Sequence, residues 1–226
     1  MESTINAAPQ IFIDREKMLR GHRHYWVLRR AQDMVFSLLA LILLAPLALV
    51  ISLAIVLDSP GDGAIFRQRR VGRDGKLFWL YKFRTMCPDA EQKLKELMER
   101  NEKDGPVFKM KNDPRITRVG KFLRKTSLDE IPQFWNVLKG EMSVIGPRPI
   151  EPDELVAYDD SVVEFLSMTS GITGWWQTVS RNDAKYESGE RQSLELFYVR
   201  NRSLKIDVKV FFETFRAMFG KHASGK

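Results

Sequence analysis

The chain has 226 residues, of which 44% are hydrophobic, 29% charged and 11% aromatic. This composition excludes disordered, collagen-like and disulfide-stapled proteins, and the length predicts one main core, alone or with an appendage. Cys87 is the single cysteine, so an internal disulfide and a cysteine-based metal cage are excluded, which favours a reducing compartment.

The formal net charge is +7, and the excess of base lies in the N-terminal third. Residues 15–84 hold 13 Lys and Arg side chains against 5 Asp and Glu, whereas residues 85–226 hold 23 against 22. A basic zone confined to one region predicts a polyanionic partner there: nucleic acid, an anionic membrane surface or a phosphorylated substrate.

The segment from Met34 to Leu57 has 24 residues and no charge, which is long enough for a helix to cross the hydrocarbon layer. Pro46 lies at its centre, where it removes a backbone donor and divides the run into two pieces that are each too short to span. Basic residues flank both ends almost equally, so the positive-inside bias gives no orientation. We predict a helix-break-helix hairpin that enters and leaves by the same face; a kinked spanning anchor and a buried pair of core helices are the alternatives.

Short elements follow the apolar segment. Two strands, 64–70 and 76–84, are predicted around the turn dipeptide Asp74-Gly75. Helices are predicted over residues 88–103 and up to Lys139, where Gly140 supplies a C-terminal cap.

The last third of the chain predicts further helices. Mixed polar helices are expected between residues 151 and 168, followed by a Gly-rich turn at 171–174. Residues 206–219 form an amphipathic pattern that is typical of a core helix and also suits a lipid surface. The predicted fold class is α+β, mainly helical, with a small β-hairpin region and the N-terminal re-entrant membrane helix-break-helix. The predicted divisions are 1–30 (basic segment), 31–58 (membrane hairpin) and 59–226 (cytoplasmic catalytic domain).

Two adjacent carboxylates, Asp129 and Glu130, stand at a predicted helix start. Ser127 and Glu130 have the spacing of a capping box, which is the ordinary structural explanation for acids at such a place. Five basic residues precede the pair within 15 positions, and acids among bases at a helix start suit a phosphate and metal centre. In such a centre a carboxylate attacks phosphorus or holds Mg²⁺. The pattern by itself leaves both explanations open.

Three other stretches have a functional and an ordinary explanation. Lys82 and Arg84 alternate at the end of a predicted strand, Arg148 lies in a stiff Pro-containing turn, and two indoles, Trp175 and Trp176, follow a Gly-rich turn. The first two would bind phosphate, and the indoles would stack on a base or sugar. A solvated strand face, a surface loop and simple packing explain the same residues.

Taken in chain order, these stretches resemble the bacterial sugar transferase family, the monotopic polyprenyl-phosphate phosphoglycosyl transferases, in a short form. The resemblance extends over roughly residues 29–219 and rests on six motifs. They are Lys82-Phe-Arg-Thr-Met86, Arg124-Lys-Thr-Ser-Leu-Asp-Glu-Ile-Pro-Gln133, Asn136-Val-Leu-Lys-Gly-Glu-Met-Ser143, Gly146-Pro-Arg-Pro149, Gly171-Ile-Thr-Gly-Trp175 and Tyr198-Val-Arg-Asn201.

The resemblance implies an enzyme of the bacterial inner (cytoplasmic) membrane, with a re-entrant helix and a catalytic domain on the cytoplasmic face. It would transfer a sugar 1-phosphate from a UDP-sugar to undecaprenyl phosphate in a two-step, Mg²⁺-dependent reaction. Asp129 matches the nucleophile that forms an aspartyl-phosphosugar while UMP leaves, and Glu130 matches the acid linked to Mg²⁺. The substrate- and phosphate-binding positions would be Lys82, Arg84, Arg124, Gln133 and Arg148.

Two places depart from the family pattern. The membrane break is Ala45-Pro46 where Ser-Pro is common, so a hydroxyl that would satisfy the freed backbone groups is missing. Thr169 and Ser170 stand before Gly171 where Arg-Pro is common. Arg181, in the following loop, is the predicted substitute for that arginine.

The alternative from another class is a membrane-tethered, non-catalytic basic binding or scaffold protein. Its basic zone would contact phosphates along a backbone, but the chain has neither a recognition-helix or RNA-motif pattern nor an aromatic stacking platform. We therefore expect a UDP-sugar, undecaprenyl phosphate and the lipid bilayer as partners, and no nucleic acid. A homodimer stays open, and the sequence does not identify the sugar.

Overall fold

The computed structural model describes residues 23–97, 110, 112–180 and 189–219, with side chains to residue 216. Most of the predicted basic segment 1–30 and the predicted phosphate ligand Arg181 therefore lie outside the described residues. The fold class is confirmed in its coarse form, because the described chain is mainly helical with a small antiparallel hairpin.

The first described element is a long apolar helix, α1, from Arg23 to Asp58. At about 1.5 Å per residue it is roughly 54 Å long, and its length and hydropathy suffice to cross a membrane. Pro46 lies inside α1, which is continuous across it. The structure thus confirms an apolar N-terminal helix and does not show the predicted break as a division into two helices.

Helix α1 packs against the other described elements through one stripe of its side chains. Buried positions recur every four residues from Tyr25 to Ser37, and Ile51 and Ile55 are buried near the other end. Between them, Leu44 and Ala48 pack against the same cluster as Ile51 and Ile55. The opposite side of the helix exposes large apolar side chains along the whole apolar segment, among them Phe36, Leu39, Leu43, Leu47, Leu49, Leu53 and Leu57.

The predicted hairpin is confirmed by strands β1 (Ile65–Val71) and β2 (Leu77–Phe83). They pair antiparallel, with Ile65 opposite Phe83 and Val71 opposite Leu77. In the turn, Asp74 and Gly75 have φ angles of 62° and 73°, the left-handed conformation for which an Asp-Gly pair is suited. Side chains alternate along each strand, so the residues on one hairpin face follow from this register.

Helices surround the hairpin. The predicted cap at Gly140 is confirmed, since its φ is 84° and its N–H bonds to the carbonyl of Val137. Phe78 and Leu80 of β2 pack with Val137 and Met142 in one buried cluster beneath the candidate site. The remaining helices are α2 (Ala90–Leu97), α3 (Arg118–Thr126), α4 (Gln133–Lys139), α5 (Val162–Phe165), α6 (Trp175–Val179), α7 (Glu190–Asn201) and α8 (Leu204–Phe219), with 3-10 segments at Arg73–Gly75, Leu128–Glu130 and Pro152–Ser161.

The Gly-rich stretch predicted as a turn is instead a short strand. Strand β4 (Gly171–Thr173) pairs in parallel with β3 (Ser143–Ile145). A Cβ on Gly171 would lie 2.1 Å from the backbone nitrogen of Gly146, so the glycines allow two backbone segments to approach closely. This contact holds the Gly146–Pro149 segment in place.

Candidate active site

Asp129 and Glu130 lie in the 3-10 segment between α3 and α4. Ser127 ends α3 with a φ of 57°, and the Glu130 carboxylate is directed to Lys82 of β2. The Lys82 amine donates to Oε1 of Glu130 at 3.0 Å and lies 3.9 Å from Oδ2 of Asp129. One cation from the hairpin therefore serves both carboxylates. The capping-box explanation does not hold, because the Ser127 side chain makes no capping bond to this segment.

Asp129 is the more sheltered of the two acids, with its side chain 13% exposed against 28% for Glu130. Burial raises the pKa of Asp129; Lys82 and Arg124 oppose that rise, and the charge of Glu130 adds to it. The two cations thus oppose the effect of burial and favour the charged, nucleophilic form of this carboxylate.

Arg124 is held beside Asp129 from the last turn of α3. Its Nε donates to the Thr85 hydroxyl at 2.9 Å. Burial lowers the pKa of Arg124, while the charges of Asp129 and Asp113 raise it. An arginine fixed next to a carboxylate is suited to neutralise the phosphate oxygens that approach that carboxylate.

Lys82 and Glu130 border an open cleft that extends beyond the carboxylate pair toward Arg70 and Arg148. Four of the residues predicted from sequence are brought together there, namely Lys82, Glu130, Gln133 and Arg148. The cleft is lined by Arg70, Leu80, Lys82, Glu130, Gln133, Arg148, Pro149, Gly171, Ile172 and Gln177.

Arg148 is set into the cleft by a buried acid that the sequence did not single out. Oε1 of Glu195, a residue of α7 that is 1% exposed, accepts the backbone N–H of Arg148 at 3.0 Å. Burial raises the pKa of Glu195 to about 7, although the Arg148 N–H and the charges of Arg191 and Arg148 lower it. The Arg148 guanidinium carbon lies 5.9 Å from the ring centre of Trp176.

Arg84 is placed elsewhere. Its guanidinium donates four hydrogen bonds to the loop that follows α1: to the carbonyls of Ser59, Asp62 and Gly63 and to the Ser59 hydroxyl. The structure therefore gives Arg84 a role in holding this loop and does not bring it to the cleft. Its predicted phosphate contact stays a prediction, as does that of Arg181.

Sequence reasoning missed two residues of the site, Arg70 and Glu195. Arg70 was recognised as part of a basic flank without a role, although its strand alternation with Gln68 places both on one hairpin face. Glu195 gave no usable signal, because the buried stripe of α7 is polar in its first half, with Arg191, Gln192 and Glu195, and apolar only further along.

The two carboxylates are the candidate metal ligands of this site. Among the described residues no three His, Cys, Asp or Glu side chains converge in a way that would hold a metal. Mg²⁺ commonly takes one or two carboxylates and completes its shell with water and substrate phosphates. The donor set of Asp129 and Glu130 fits that mode of binding, in which the ion arrives with a phosphorylated ligand.

Residues 24–221 match the family described as bacterial sugar transferase. The chain belongs to this family. The match includes α1, the hairpin, the carboxylate pair and the Gly146–Pro149 segment.

Relatives within the bacterial sugar transferase family are similar over most of this chain. The undecaprenyl-phosphate galactose phosphotransferase of Salmonella typhimurium is 46% identical over 194 residues, 83% of this chain and 39% of its own length. The UDP-glucose:undecaprenyl-phosphate glucose-1-phosphate transferase of Escherichia coli K12 is 38% identical over 208 residues, 87% of this chain and 41% of its own. The exopolysaccharide production protein ExoY of Rhizobium meliloti is 41% identical over 194 residues, 84% of each chain. The chain thus spans about two fifths of the first two relatives and most of the third.

Proposed function

We propose that the chain is a phosphoglycosyl transferase that moves a sugar 1-phosphate from a UDP-sugar to undecaprenyl phosphate, as the first membrane step of polysaccharide or glycoconjugate assembly. The observation that carries this proposal is the sheltered Asp129 carboxylate, which feels the charges of Lys82 and Arg124. Its neighbour Glu130 lines the cleft together with Lys82 and Arg148. The printed names of two relatives supply the substrate classes.

The proposed reaction has two displacements at one phosphorus atom. First, an Asp129 oxygen bonds to the phosphorus that carries the sugar, the bond from that phosphorus to the bridging oxygen breaks, and UMP leaves with the electron pair. A phosphate oxygen of undecaprenyl phosphate then attacks the same phosphorus, which releases Asp129 as a carboxylate and forms a lipid diphosphate sugar. Phosphoryl transfer asks mainly for positioning and charge compensation, and Lys82, Arg124 and Arg148 are placed to supply both.

Glu130 is the residue that would hold Mg²⁺, in line with the fit of the carboxylate pair to that ion. A bound Mg²⁺ would compensate charge on the phosphates of the donor. The Glu130 carboxylate also lies 3.0 Å from the Lys82 amine, so a cation of this chain and the ion would share one acid.

The proposed membrane arrangement places α1 in the cytoplasmic leaflet of the inner membrane, with both of its ends on the same face. Near the start of α1 the Tyr25 hydroxyl donates to Asp207 of α8 at 3.0 Å, and near its end Ile55 packs with Leu123 and Ile131. These anchor points are about 45 Å apart along the helix, more than the roughly 30 Å hydrocarbon layer. A helix that crossed the bilayer would separate its ends, whereas these ends are attached to one folded unit. Labelling a probe near Ile5 from outside intact cells tests this: labelling would reject the arrangement.

The reaction itself is tested by isotope exchange in the absence of lipid acceptor. With Mg²⁺ and a UDP-sugar, the purified protein should transfer labelled UMP into the UDP-sugar, because the first displacement is reversible. A panel of UDP-sugars identifies the accepted donor by UMP release. If the panel yields lipid-dependent product without exchange, a covalent intermediate is excluded; if it yields neither, the proposed function is wrong.

A further inference from the structure

We infer that Arg70 is a substrate-contacting residue, and that with Arg148 it forms a second phosphate-binding subsite in the cleft, apart from Lys82 and the carboxylate pair. The inference rests on the proposed function and assigns to it a residue outside the six motifs. Its ligand is a phosphate group, which in this reaction is either the one that leaves with the nucleotide or the one carried by the lipid acceptor.

The hairpin register puts Arg70 on the same face as Lys82. Arg70 is opposite Phe78, and Lys82 is four residues further along β2, so Phe78, Leu80 and Lys82 point to one side together with Arg70. The two cations are therefore separated by about 13 Å along the strands, measured between backbone positions. Both border the same cleft. One ligand with two phosphates, or two ligands with one each, can thus contact both cations.

Arg70 is a built-in feature of the cleft wall. The residue is 7% exposed, and its two terminal nitrogens are held by Glu151 at 3.0 Å, Glu154 at 3.4 Å and the Gln68 amide oxygen at 2.7 Å. These contacts fix the plane of the guanidinium, and none of them involves its Nε. Such a pre-set donor loses little conformational entropy when an anion binds.

Two buried donors in the described cleft wall have no acceptor. Within the part of the chain that the structure describes, Nε of Arg70 and Nε of Arg148 are both buried without a hydrogen-bond partner. Buried N–H groups are normally paired, because an unpaired one loses its hydration and gains nothing in return. An anion in the cleft offers both arginines the acceptor they lack.

The charges also favour an anion. Burial lowers the pKa of Arg70, and the like charges of Arg148 and Arg191 lower it further, against the acids Glu151 and Glu154. Arg191 is 3.4 Å from Glu154, so that one acid serves two arginines. A phosphate between Arg70 and Arg148 would relieve the repulsion between these like charges.

The experiment compares Arg70→Gln with Arg70→Lys and with Arg200→Gln, a surface control whose guanidinium forms a two-point pair with Glu164. Exchange of labelled UMP without lipid gives the KM for the UDP-sugar, and the complete reaction gives the KM for undecaprenyl phosphate. Loss of a charge-assisted contact should raise one of these KM values by about tenfold in Arg70→Gln, with a smaller rise in Arg70→Lys. The control should match the wild type.

The two sources of phosphate are separated by which KM changes. A higher KM in the exchange reaction assigns the subsite to the nucleotide phosphate, and a higher KM for the lipid alone assigns it to the acceptor. Unchanged values for both substrates in folded Arg70→Gln would overturn the inference. If Arg70→Gln is not folded by thermal unfolding, Arg70→Gln combined with Glu151→Gln removes the acid that lost its partner and is read in the same way.

Binding measurements separate this inference from the proposed function. If the wild type shows no exchange with any UDP-sugar, the proposed function fails. Calorimetric titration with UMP and with undecaprenyl phosphate then decides the subsite independently. About tenfold weaker binding of either ligand to Arg70→Gln supports it, and equal binding of both rejects it.

Discussion

Two regions of one cleft differ in how they are built. The carboxylate region joins β2, which supplies Lys82, to the segment from Arg124 to Glu130. Its members are Lys82, Arg124, Asp129 and Glu130. The arginine region, with Arg70, Arg148, Arg191 and Glu195 as its members, needs the hairpin, the Gly146–Pro149 segment and α7.

Sequence motifs describe the carboxylate region well and the arginine region poorly. In the carboxylate region each reacting group lies in one of the six sequence motifs, and the folded structure adds only the contacts between these groups. In the arginine region the polar groups are buried by distant packing, and their meaning depends on partners such as Glu154 that stand apart in the chain. The reacting groups of the first region can therefore be read from motifs, whereas those of the second can be recognised only once the chain is folded.

The largest expected effect is in the carboxylate region. Asp129→Asn keeps the shape of the side chain but weakens its nucleophilicity, so UMP exchange should fall by about a thousandfold or more. Asp153→Asn, at an exposed position, is the matched control and should keep wild-type exchange. Exchange in Asp129→Asn within tenfold of wild type would remove the residue from the nucleophile role.

Lys82→Gln should have the next largest effect. Turnover should fall by about 10- to 100-fold, because the amine that offsets phosphate charge and orients both carboxylates is lost. Lys82 opposes the rise in the pKa of Asp129, so its removal should shift the acidic limb of the exchange rate against pH to higher pH. A limb that stays in place, or moves to lower pH, contradicts the electrostatic role; Lys121→Gln, an exposed change on α3, is the control.

Arg84→Gln should separate structure from substrate binding. We expect the free energy of unfolding to fall by about 1–3 kcal/mol, since the buried Ser59 carbonyl and the partly buried bond to the Asp62 carbonyl lose a charged donor. The KM for the UDP-sugar, measured on the folded fraction, should change less than twofold. An unchanged unfolding midpoint together with a raised KM would restore the phosphate-binding role predicted from sequence.

The last effect concerns the pH dependence of stability and involves Glu195 in the arginine region. Burial raises its pKa from 4.5 to about 7, so between these values the folded protein keeps a proton that the unfolded chain has released. This contribution to stability is complete below about pH 4.5 and is lost as pH rises through about 7, by up to about 3 kcal/mol. Glu195→Gln should flatten that decline in chemical unfolding curves. A decline equal to that of the wild type would show that Glu195 does not titrate in this window.

Local signals account for the parts of the fold that could be predicted. Strand alternation and Asp74-Gly75 gave the hairpin, Gly140 gave the end of α4, and the uninterrupted apolar run gave α1. Each of these depends on residues within a few positions of one another.

Long-range contacts account for what could not be predicted. The alternation in β2 does not indicate which face of the strand is buried. In the structure Phe78 is buried and Trp79 is exposed. The guanidinium carbons of Arg67 and Arg69 lie 5.2 and 4.8 Å from the centre of the Trp79 ring. The parallel pairing of Gly171 with Ser143 has no local signature. For the same reason the sequence does not predict which residues bind Arg84, Glu130 and Arg148.

The central claim is that Asp129 forms a covalent bond to the sugar phosphate. Mass spectrometry of protein that has been incubated with its UDP-sugar and Mg²⁺, without lipid, and quenched in acid tests it directly. We predict a gain of one sugar phosphate on the peptide that contains Asp129, which disappears on addition of undecaprenyl phosphate and is absent in Asp129→Asn. A protein that turns over substrate without this adduct, or that carries it on another residue, would contradict the account.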